Sequence, residues 1–577
     1  MRQLLTDRLV ALLGDDAQRH IRRLGAHWFA ENGHAEAAIK QYLAAGDEEE
    51  ATYLLYRHLG DIIDNDFSRR TLRHLLSMFP SRRRRGHPIL LLADIYIKCQ
   101  HWDMAGLSSL LHETDRRLSN PRRALPEVLV EKLRIELDSP RTLFLYWAGD
   151  LDGALAAGRR VLENTPEEKH HERVHAMMYL PAALFMLGRE EEADQHLDKY
   201  IAKALDAGSG FAGALLFAKM SLCYYGADAA GARAVSENII DLHRRRAVHT
   251  YWYCHCLHLL GCVEYEQSRL DEAEHLFEEL RTLRYQITSR LGHDGLLGLA
   301  LISMARQDWD EAEKRAEFAR AYAFEVKDSA SIMYSEFFRT RAMVTKGDPT
   351  SYATVHQPEA MWGHLWLENP VLTYAEYLIA SSDRAQHEAA LAAIEKARRV
   401  VAEKNSRRQL IQLEAVRATV LHRLGHTTAA QVAILDVLSV AGPLGMVRTF
   451  VDRGRPMQAL LSQIAASDPK NDYVATLLRA FDRAGAVSTK EPISKRGENN
   501  DASPKRLSLS RRELEVLAHL EGVASLKEIA DAMHVSAETI KKHTFRIYRK
   551  LGVNGRFQAV EAAKRLGLFS RRRPLLL

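Results

Sequence analysis

Four cationic side chains surround one aromatic ring within residues 541–549 of this 577-residue chain. A helix is predicted here, because Ile547 and Leu551 fall within about 20° of Ile540 when residues are spaced by about 100°. The opposite side of that helix carries Lys541, Lys542, Phe545, Arg546 and Arg549. Such cations can pair with the phosphates of a duplex or donate hydrogen bonds to guanine O6 and N7 in its major groove. A solvated charged surface is the alternative reading of the stripe.

Three serines divide this region into three short predicted helices, which begin after Ser510, Ser525 and Ser536. The first two serines have a glutamate three residues later, which is the spacing of a capping box. Only His534 and Val535 separate the second helix from Ser536. Two helices joined by so tight a turn predict a helix-turn-helix. Its core is expected to contain Leu514, Leu517, Leu520, Ile529, Val535, Ile540, Ile547 and Leu551.

The charge of the chain is concentrated in this C-terminal region. Residues 505–573 contain 16 Lys or Arg and 7 Asp or Glu, a net of +9, whereas the whole chain carries +5. The remainder therefore carries −4, and a basic end on a mildly acidic body predicts a partner with a negative surface. The preceding residues 488–504 are polar and lack a helical period, which predicts a linker. The expected domains are 1–487, the linker 488–504, and 505–577.

The C-terminal residues resemble the LuxR-type DNA-binding domain over about 60 positions. The resemblance is carried by residues 509–517, 525–530 and 535–543, followed by Ile547, Lys550, Leu551, Val553, Arg556 and Ala559. It implies base-edge contacts at Lys541, Lys542 and Phe545, and phosphate contacts at Lys527, Ser536, Thr539 and His543. The helical wheel adds Arg546 and Arg549 to these candidate DNA-binding residues. The resemblance to the LuxR-type domain also implies that a last helix near 555–567 pairs two domains into a dimer on DNA.

Short phrases of one kind recur along the body of the chain: a small residue or Gly, then acidic residues, then Ala. They start at residues 149, 188, 268 and 307, and related turns lie at Gly226, Gly347 and Gly425. The spacing is close to 40 residues, which predicts stacked pairs of amphipathic helices. The Gly would end one helix, the acidic residues suit the positive N-terminus of the next, and the Ala lets helices approach closely.

These repeats resemble degenerate tetratricopeptide repeats. The predicted fold is therefore all-α, a tetratricopeptide-like α-solenoid followed by a LuxR-type helix-turn-helix domain. Such solenoids offer a long concave surface on which an effector ligand or a protein could bind. Simple scaffolding is the alternative.

Both ends of the solenoid resemble those of MalT-like regulators, the large ATP-binding members of the LuxR family. Residues 27–46 resemble the start of their sensor array, and residues 445–452 with Met457, Leu460 and Leu461 resemble its end. The sequence contains no Gly-x4-Gly-Lys-Ser/Thr motif, which cradles phosphates in such regulators. We therefore expect no nucleotide cofactor, no ATP hydrolysis and no ATP-dependent change in melting temperature. Either the chain is a shortened regulator, or the ATPase half lies elsewhere.

Other candidate sites are weaker. Cys254, His258 and Cys262 fall on one helical face, where a metal site or a thiol redox sensor is conceivable, but buried packing is the preferred interpretation. The run 82–85, four arginines, is expected to be a solvated loop. No arrangement of Ser, His or paired carboxylates indicates catalysis, so no catalytic or metal-binding residues are assigned.

Together these features predict a DNA-binding transcriptional regulator that is not an enzyme. The expected partners are double-stranded promoter DNA, an effector on the helical repeats and, for an activator, RNA polymerase. An interaction scaffold with accessory DNA binding is the alternative. Five cysteines, no apolar run of membrane-spanning length and no signal-peptide core predict a cytoplasmic protein.

Overall fold

The structure is a computed structural model in which the residues form two compact units, Met1–Glu491 and Pro492–Leu577. It describes residues 2–65, 70–119, 125–207, 211–246, 250–347, 357–358, 367–488 and 511–520, and beyond these 529–530, 533, 535–536, 539–540, 543–544, 546–547, 550, 559–560 and 563. Every regular element in these residues is a helix, which confirms the all-α prediction. Residues 489–504 of the predicted linker lie outside the described residues.

The repeat unit begins with seven helices, of which the first is interrupted at Gly14. They are α1 (Arg2–Glu31), α2 (Ala35–Ala45), α3 (Glu48–Asn65), α4 (Arg70–Met78), α5 (Ser81–Arg84), α6 (Pro88–His101) and α7 (Met104–Leu118). The arginines at 82–85 were expected in a loop, but three of them lie in α5. One of these, Arg83, forms an ion pair with Glu49 of α3.

Eleven helices follow, and each packs against the next one along the chain. They are α8 (Glu127–Ala148), α9 (Leu151–Asn164), α10 (His170–Met186), α11 (Glu190–Asp206), α12 (Ala212–Tyr225), α13 (Ala229–Arg246), α14 (Thr250–Glu266), α15 (Leu270–Leu283), α16 (Ser289–Ala305), α17 (Trp309–Glu325) and α18 (Ser329–Lys346). The even-numbered helices of this group pack against one another from α8 to α18. Almost all residues of α16 are buried, because this helix packs on several sides.

Seven more helices complete the repeat unit, and one helix of ten residues is described in the second unit. They are α19 (Pro370–Ala380), α20 (Arg384–Ala402), α21 (Arg407–Arg423), α22 (Thr427–Ala441), α23 (Arg448–Val451), α24 (Gly454–Ser467), α25 (Asp472–Ser488) and, in the second unit, α26 (Arg511–Leu520). In the part of the chain that the structure describes, none of these helices is apolar over a length that could cross a membrane.

The turn at Gly149 shows how the recurring phrase works. Gly149 is left-handed, with φ +86°, and ends α8. Its N–H donates to the Tyr146 carbonyl at 3.1 Å, and the N–H of Asp150 donates to the Leu145 carbonyl at 3.0 Å. The Asp150 carboxylate then accepts a hydrogen bond from Gly153 N at 2.9 Å and caps α9. The predicted stop and start signals are therefore confirmed at this turn.

The left-handed position is not always occupied by glycine. Gly188, Gly347 and Gly425 have positive φ, whereas Gly226 has φ −72°. At that turn Ala227 takes the left-handed conformation, with φ +60°, and Asp228 caps the next helix. Gly226 directly follows the last residue of α12, so the predicted turn is confirmed, and the left-handed residue is the next one. The equivalent positions of the next two turns are Ser268 and Gln307, both with φ +60°.

The alanine that closes each phrase lies at a helix–helix contact. Ala154, Ala193 and Ala273 are 0% exposed, and Ala312 is 3% exposed. A side chain of one methyl group permits the close approach of neighbouring helices, as predicted from the sequence. Most of the buried apolar residues of the unit form one continuous cluster from Ala26 to Leu424.

The superhelix closes on itself, because its last repeats return to the inner helices of the middle repeats. Asn405 N donates to the Met186 carbonyl at 3.1 Å, and Val447 N donates to the Glu266 carbonyl at 2.9 Å. We call this contact between residues 405–453 and the helices α10, α12, α14 and α18 the closure seam. The concave side of the solenoid is therefore partly filled by the chain itself.

Candidate nucleic-acid interface and repeat-region sites

A small apolar core holds the C-terminal unit together. Leu517, Leu520, Ile529, Ile540 and Ile547 are at most 1% exposed. Two other predicted members, Leu514 and Val535, pack at its edge, whereas Leu551 lies outside the described residues. The helix-turn-helix core is thus confirmed where it is described. The sequence analysis missed further members of this core: Val516, Ala530, Ala559, Val560 and Ala563.

Ser536 occupies the start of the third helix, as the sequence predicts. Its Oγ accepts a hydrogen bond from Thr539 N at 3.2 Å and lies 2.8 Å from Thr539 Oγ1. Its carbonyl also accepts from Ile540 N at 3.2 Å. This N-cap fixes the rotation of the helix, so Ile540 and Ile547 point into the core.

The described residues of the predicted DNA-binding face lie beside or opposite this apolar stripe. Ser536 and Arg546 are exposed, and Thr539 and His543 are half-buried. These four positions are compatible with contacts to a nucleic acid. The other predicted DNA-binding residues lie outside the described residues: Lys527, Lys541, Lys542, Phe545 and Arg549. The assignment of base and phosphate contacts therefore stays a prediction.

The described residues of this unit include a long-range ion pair that the sequence analysis missed. Lys550 Nζ lies 2.7 Å from Glu513 Oε2, and Glu513 is 3% exposed. The sequence analysis had assigned Glu513 to a capping box with Ser510, which lies outside the described residues. The pair connects α26 to the helix that carries Arg546. Its two members are 37 residues apart, so no local sequence pattern predicts it.

In the repeat unit, a group of buried ionic side chains lies at the closure seam. Arg341 Nη2 lies 3.1 Å from Asp452 Oδ2, and Arg341 Nη1 lies 3.6 Å from Glu368 Oε2. Arg448 also pairs with Asp452, which accepts a hydrogen bond from Tyr265 Oη at 2.7 Å. Burial raises the pKa of Glu368, although the charge of Arg341 opposes this effect. These contacts tie α14 and α18 to the segment that follows α22.

A cavity of about 860 Å³ opens beside this ionic group. Its wall combines the inner helices, through Tyr265 and Met304, with the returning segment and Phe481 of α25. Three exposed cations also line it: Lys346, Arg423 and Arg455. The cavity is of the size that small-molecule sites usually have, and Asp452 is the acidic residue in its described lining.

Comparison with known proteins identifies both units. Residues 141–467 match the family described as the MalT-like TPR region. That match covers more than half of the chain and includes the closure seam. The chain belongs to this MalT-like family. Residues 507–563 match a second family, described as bacterial regulatory proteins of the luxR family, and this match contains the helix-turn-helix.

Two individual relatives share a shorter stretch. The HTH-type transcriptional regulators MalT of Klebsiella pneumoniae subsp. pneumoniae and of Klebsiella pneumoniae strain 342 are each 30% identical to the chain over 152 residues. The matched stretch is 25% of this chain but only 17% of the length of each relative. A MalT-like repeat region followed by a luxR-type helix-turn-helix supports a DNA-binding transcriptional regulator.

The cysteine-rich stretch of the MalT-like region is packed in the protein interior. Cys262 Sγ lies 3.7 Å from His258 Nε2, but His258 pairs with Asp294, and Cys254 packs with Leu280 and Leu291 in a separate cluster. The one-face arrangement considered for a metal site therefore does not bring the three side chains together. Buried packing, the preferred interpretation, fits this arrangement.

We expect the native protein to react slowly with a thiol reagent such as DTNB at pH 8. Burial raises the pKa values of Cys254 and Cys256 to about 12, so neither thiol is ionised at that pH. The measurement compares the rate of colour development with and without guanidinium chloride, where all five cysteines become accessible. A cysteine among these two that reacts in the native state as fast as in the unfolded state would contradict the packing interpretation and favour a redox sensor.

Proposed function

We propose that the chain regulates transcription by binding promoter DNA through its C-terminal unit under the control of its helical repeats. The observation that carries this proposal is the presence of the MalT-like region and the luxR-type helix-turn-helix in one chain. The net charge of +9 over residues 505–573 supports a nucleic acid as the partner, since phosphates attract such a surface.

In this proposal the third helix of the module enters the major groove. Lys541 and Lys542 contact base edges, and Phe545 can contact a thymine methyl group. Exposed Arg546 lies on the same helix and reaches the DNA with Arg549. Lys527, Ser536, Thr539 and His543 hold the phosphate backbone and so set the register of the helix. These phosphate contacts do not by themselves distinguish one DNA sequence from another.

The cavity beside the closure seam is the proposed effector site. Its three exposed cations, Lys346, Arg423 and Arg455, favour a ligand with a carboxylate or phosphate group. A ligand there touches both sides of the seam, so it can bind the closed superhelix more tightly than an open one. Such a difference in affinity is what shifts a conformational equilibrium. Phe481 places the cavity against α25, the last described helix before the DNA-binding unit.

The proposal also covers the location of the protein, its oligomeric state, its partners and its lack of ATPase activity. The protein acts in the cytoplasm as a dimer on DNA and, if it is an activator, contacts RNA polymerase. It does not hydrolyse ATP, since its sequence has no phosphate-binding loop of the Gly-x4-Gly-Lys-Ser/Thr type. The alternative function, a repeat scaffold with accessory DNA binding, rests on the wide use of such solenoids for protein contacts.

A gel-shift titration of the full chain distinguishes the two functions. The DNA is the promoter region of the neighbouring genes, and the competitor is a scrambled fragment of equal length. We expect preferential binding that weakens steeply with salt, because several phosphate contacts cost about a thousandfold or more between 50 and 200 mM salt. Equal binding of both fragments would favour the scaffold.

The effector site is tested by thermal shift with small carboxylates and phosphates as probes. A probe at 100 times its Kd should stabilise the chain by about 2.7 kcal/mol. We expect Arg423→Gln and Arg455→Gln to weaken this stabilisation, whereas Arg384→Gln, an exposed arginine of α20 outside the cavity, should not. Equal loss in all three variants would contradict a site in this cavity.

A further inference from the structure

Two buried carboxylates in the first half of the repeat unit form no ion pair with an arginine or lysine among the described residues. Seven Asp and Glu residues are buried in the part of the chain that the structure describes. Five of them form ion pairs with Arg, Lys or His of other positions: Asp138, Glu264, Asp294, Glu368 and Glu513. The other two, Glu136 and Glu172, lie together beside a single imidazole, that of His171.

The three side chains come from two neighbouring helices. Glu136 of α8 is 1% exposed, and His171 and Glu172 of α10 are 9% and 6% exposed. One ligand atom of each lies within 4.8 Å of the others, and His171 Nε2 is 3.7 Å from Glu172 Oε1. Gly60 of α3 makes room for the imidazole, because an added Cβ there would come within 2.5 Å of His171 Cε1.

Two tyrosines orient the Glu136 carboxylate. Tyr56 Oη donates to Glu136 Oε2 at 2.8 Å, and Tyr96 Oη donates to Glu136 Oε1 at 3.3 Å. Both oxygens thus accept a hydrogen bond, and each keeps a further lone pair. Hydrogen bonds of this kind, made to a carboxylate from behind, are the outer contacts that hold metal ligands in place.

The two negative charges are poorly compensated. Burial and the charge of Glu172 raise the pKa of Glu136 to about 7, and burial raises the pKa of Glu172. The exposed Lys132 lies at the edge of the group, with its Nζ 5.1 Å from the centre of the Tyr56 ring. Its charge opposes both shifts, and the charge of Lys169 also opposes the shift of Glu172. Buried carboxylates without a strong partner bind either a proton or a cation, since leaving both charged costs several kcal/mol.

We propose that Glu136, His171 and Glu172 bind one divalent transition-metal ion, with Zn²⁺ and Mn²⁺ as the best matches. Carboxylate oxygen and imidazole nitrogen together form a donor set that these ions accept, whereas Ca²⁺ and Mg²⁺ prefer oxygen alone. Ligand bonds of about 2.0–2.2 Å place two ligand atoms of a tetrahedral ion about 3.4 Å apart, so pairs of these atoms that now lie up to 4.8 Å apart must approach by as much as about 1.4 Å. The bound ion would join α8 to α10.

Metal binding to the full chain tests this proposal. The protein is treated with a chelator, dialysed and titrated with Zn²⁺ and with Mn²⁺ by calorimetry. We expect one tight ion per chain in the parent. Glu136→Gln and Glu172→Gln should each weaken binding by more than the roughly 10–100-fold that loss of an outer hydrogen bond costs, and Tyr96→Phe by about tenfold. His170→Gln and Glu168→Gln, matched changes on neighbouring side chains outside the group, should leave binding unchanged.

Melting of the metal-free variants separates a lost ligand from a damaged fold. Glu136→Gln removes one uncompensated charge; its amide oxygen can still accept from one tyrosine, and its NH2 can donate to the hydroxyl oxygen of the other. Without metal it should therefore melt no lower than the parent, and Zn²⁺ should no longer raise its Tm. Lys132→Gln removes a competing cation, so it should tighten metal binding. The proposal is overturned if neither ion binds stoichiometrically, which would leave a shared proton as the occupant, or if both Gln variants and Lys132→Gln bind as the parent does.

Discussion

Replacing Lys541 and Lys542 together by alanine should abolish preferential binding to the promoter. Each side chain that reads a base contributes about 1–3 kcal/mol, or roughly 5–150-fold in Kd. The wheel places both lysines away from Ile540 and Ile547, which are buried, so the fold should not change. The measurement is a gel shift on promoter and scrambled DNA, with circular dichroism as the check on folding.

A comparison of the two DNAs also separates base contacts from phosphate contacts. Loss of a base contact weakens binding to the promoter alone, whereas loss of a phosphate contact weakens binding to every sequence and reduces the salt slope by about 1. Lys505→Ala, before the first helix of the module, is the matched control and should keep the preference for the promoter. If the double variant binds the promoter at full strength, this helix does not read the DNA.

Arg341→Met should destabilise the repeat unit by about 3–5 kcal/mol. The substitution leaves the buried Glu368 and the largely buried Asp452 with less compensation, and an uncompensated buried charge costs this much. Asp452 keeps Arg448, so the largest part of the effect should arise at Glu368. The change is measured as a lower midpoint of urea unfolding and a lower Tm of the full chain.

The control for this prediction is an arginine in an exposed ion pair. Arg384 and Glu388 lie 3.1 Å apart on α20, with side chains 67% and 60% exposed. Arg384→Met should cost less than about 0.5 kcal/mol, since such pairs on a helix surface contribute little. Equal destabilisation by both variants would mean that the closure seam does not depend on its buried charges.

The helix ends and turns could be predicted from the sequence because residues that are close together in the chain determine them. A left-handed residue, an acidic cap and a small alanine recur within six residues, as at Gly149, Asp150 and Ala154, so a period in the sequence predicts them. At Gly226 the turn lies where the sequence predicts it, but the alanine that follows takes the left-handed conformation. A glycine near a turn therefore marks the turn but not the position within it.

The contacts that depend on tertiary structure left no such signal. Glu136 is 35 positions from His171, and the two meet only because α8 and α10 stack. Arg341 and Asp452 are 111 positions apart, and no period relates them. In the C-terminal module the buried core and the Ser536 cap followed from the sequence pattern, whereas the Glu513–Lys550 pair did not.

The closure seam has a consequence for how the protein folds. In an open solenoid each repeat contacts only its neighbours, so folding can start anywhere and the ends can fray separately. Here Tyr265 bonds to Asp452 over 187 positions, and Asn405 bonds to Glu190 over 215 positions. These bonds can form only after the intervening repeats have stacked, and contacts of such long range slow folding. Because the closure seam forms late, the repeats should unfold together. A destabilising substitution in one repeat should therefore lower the stability of all the others.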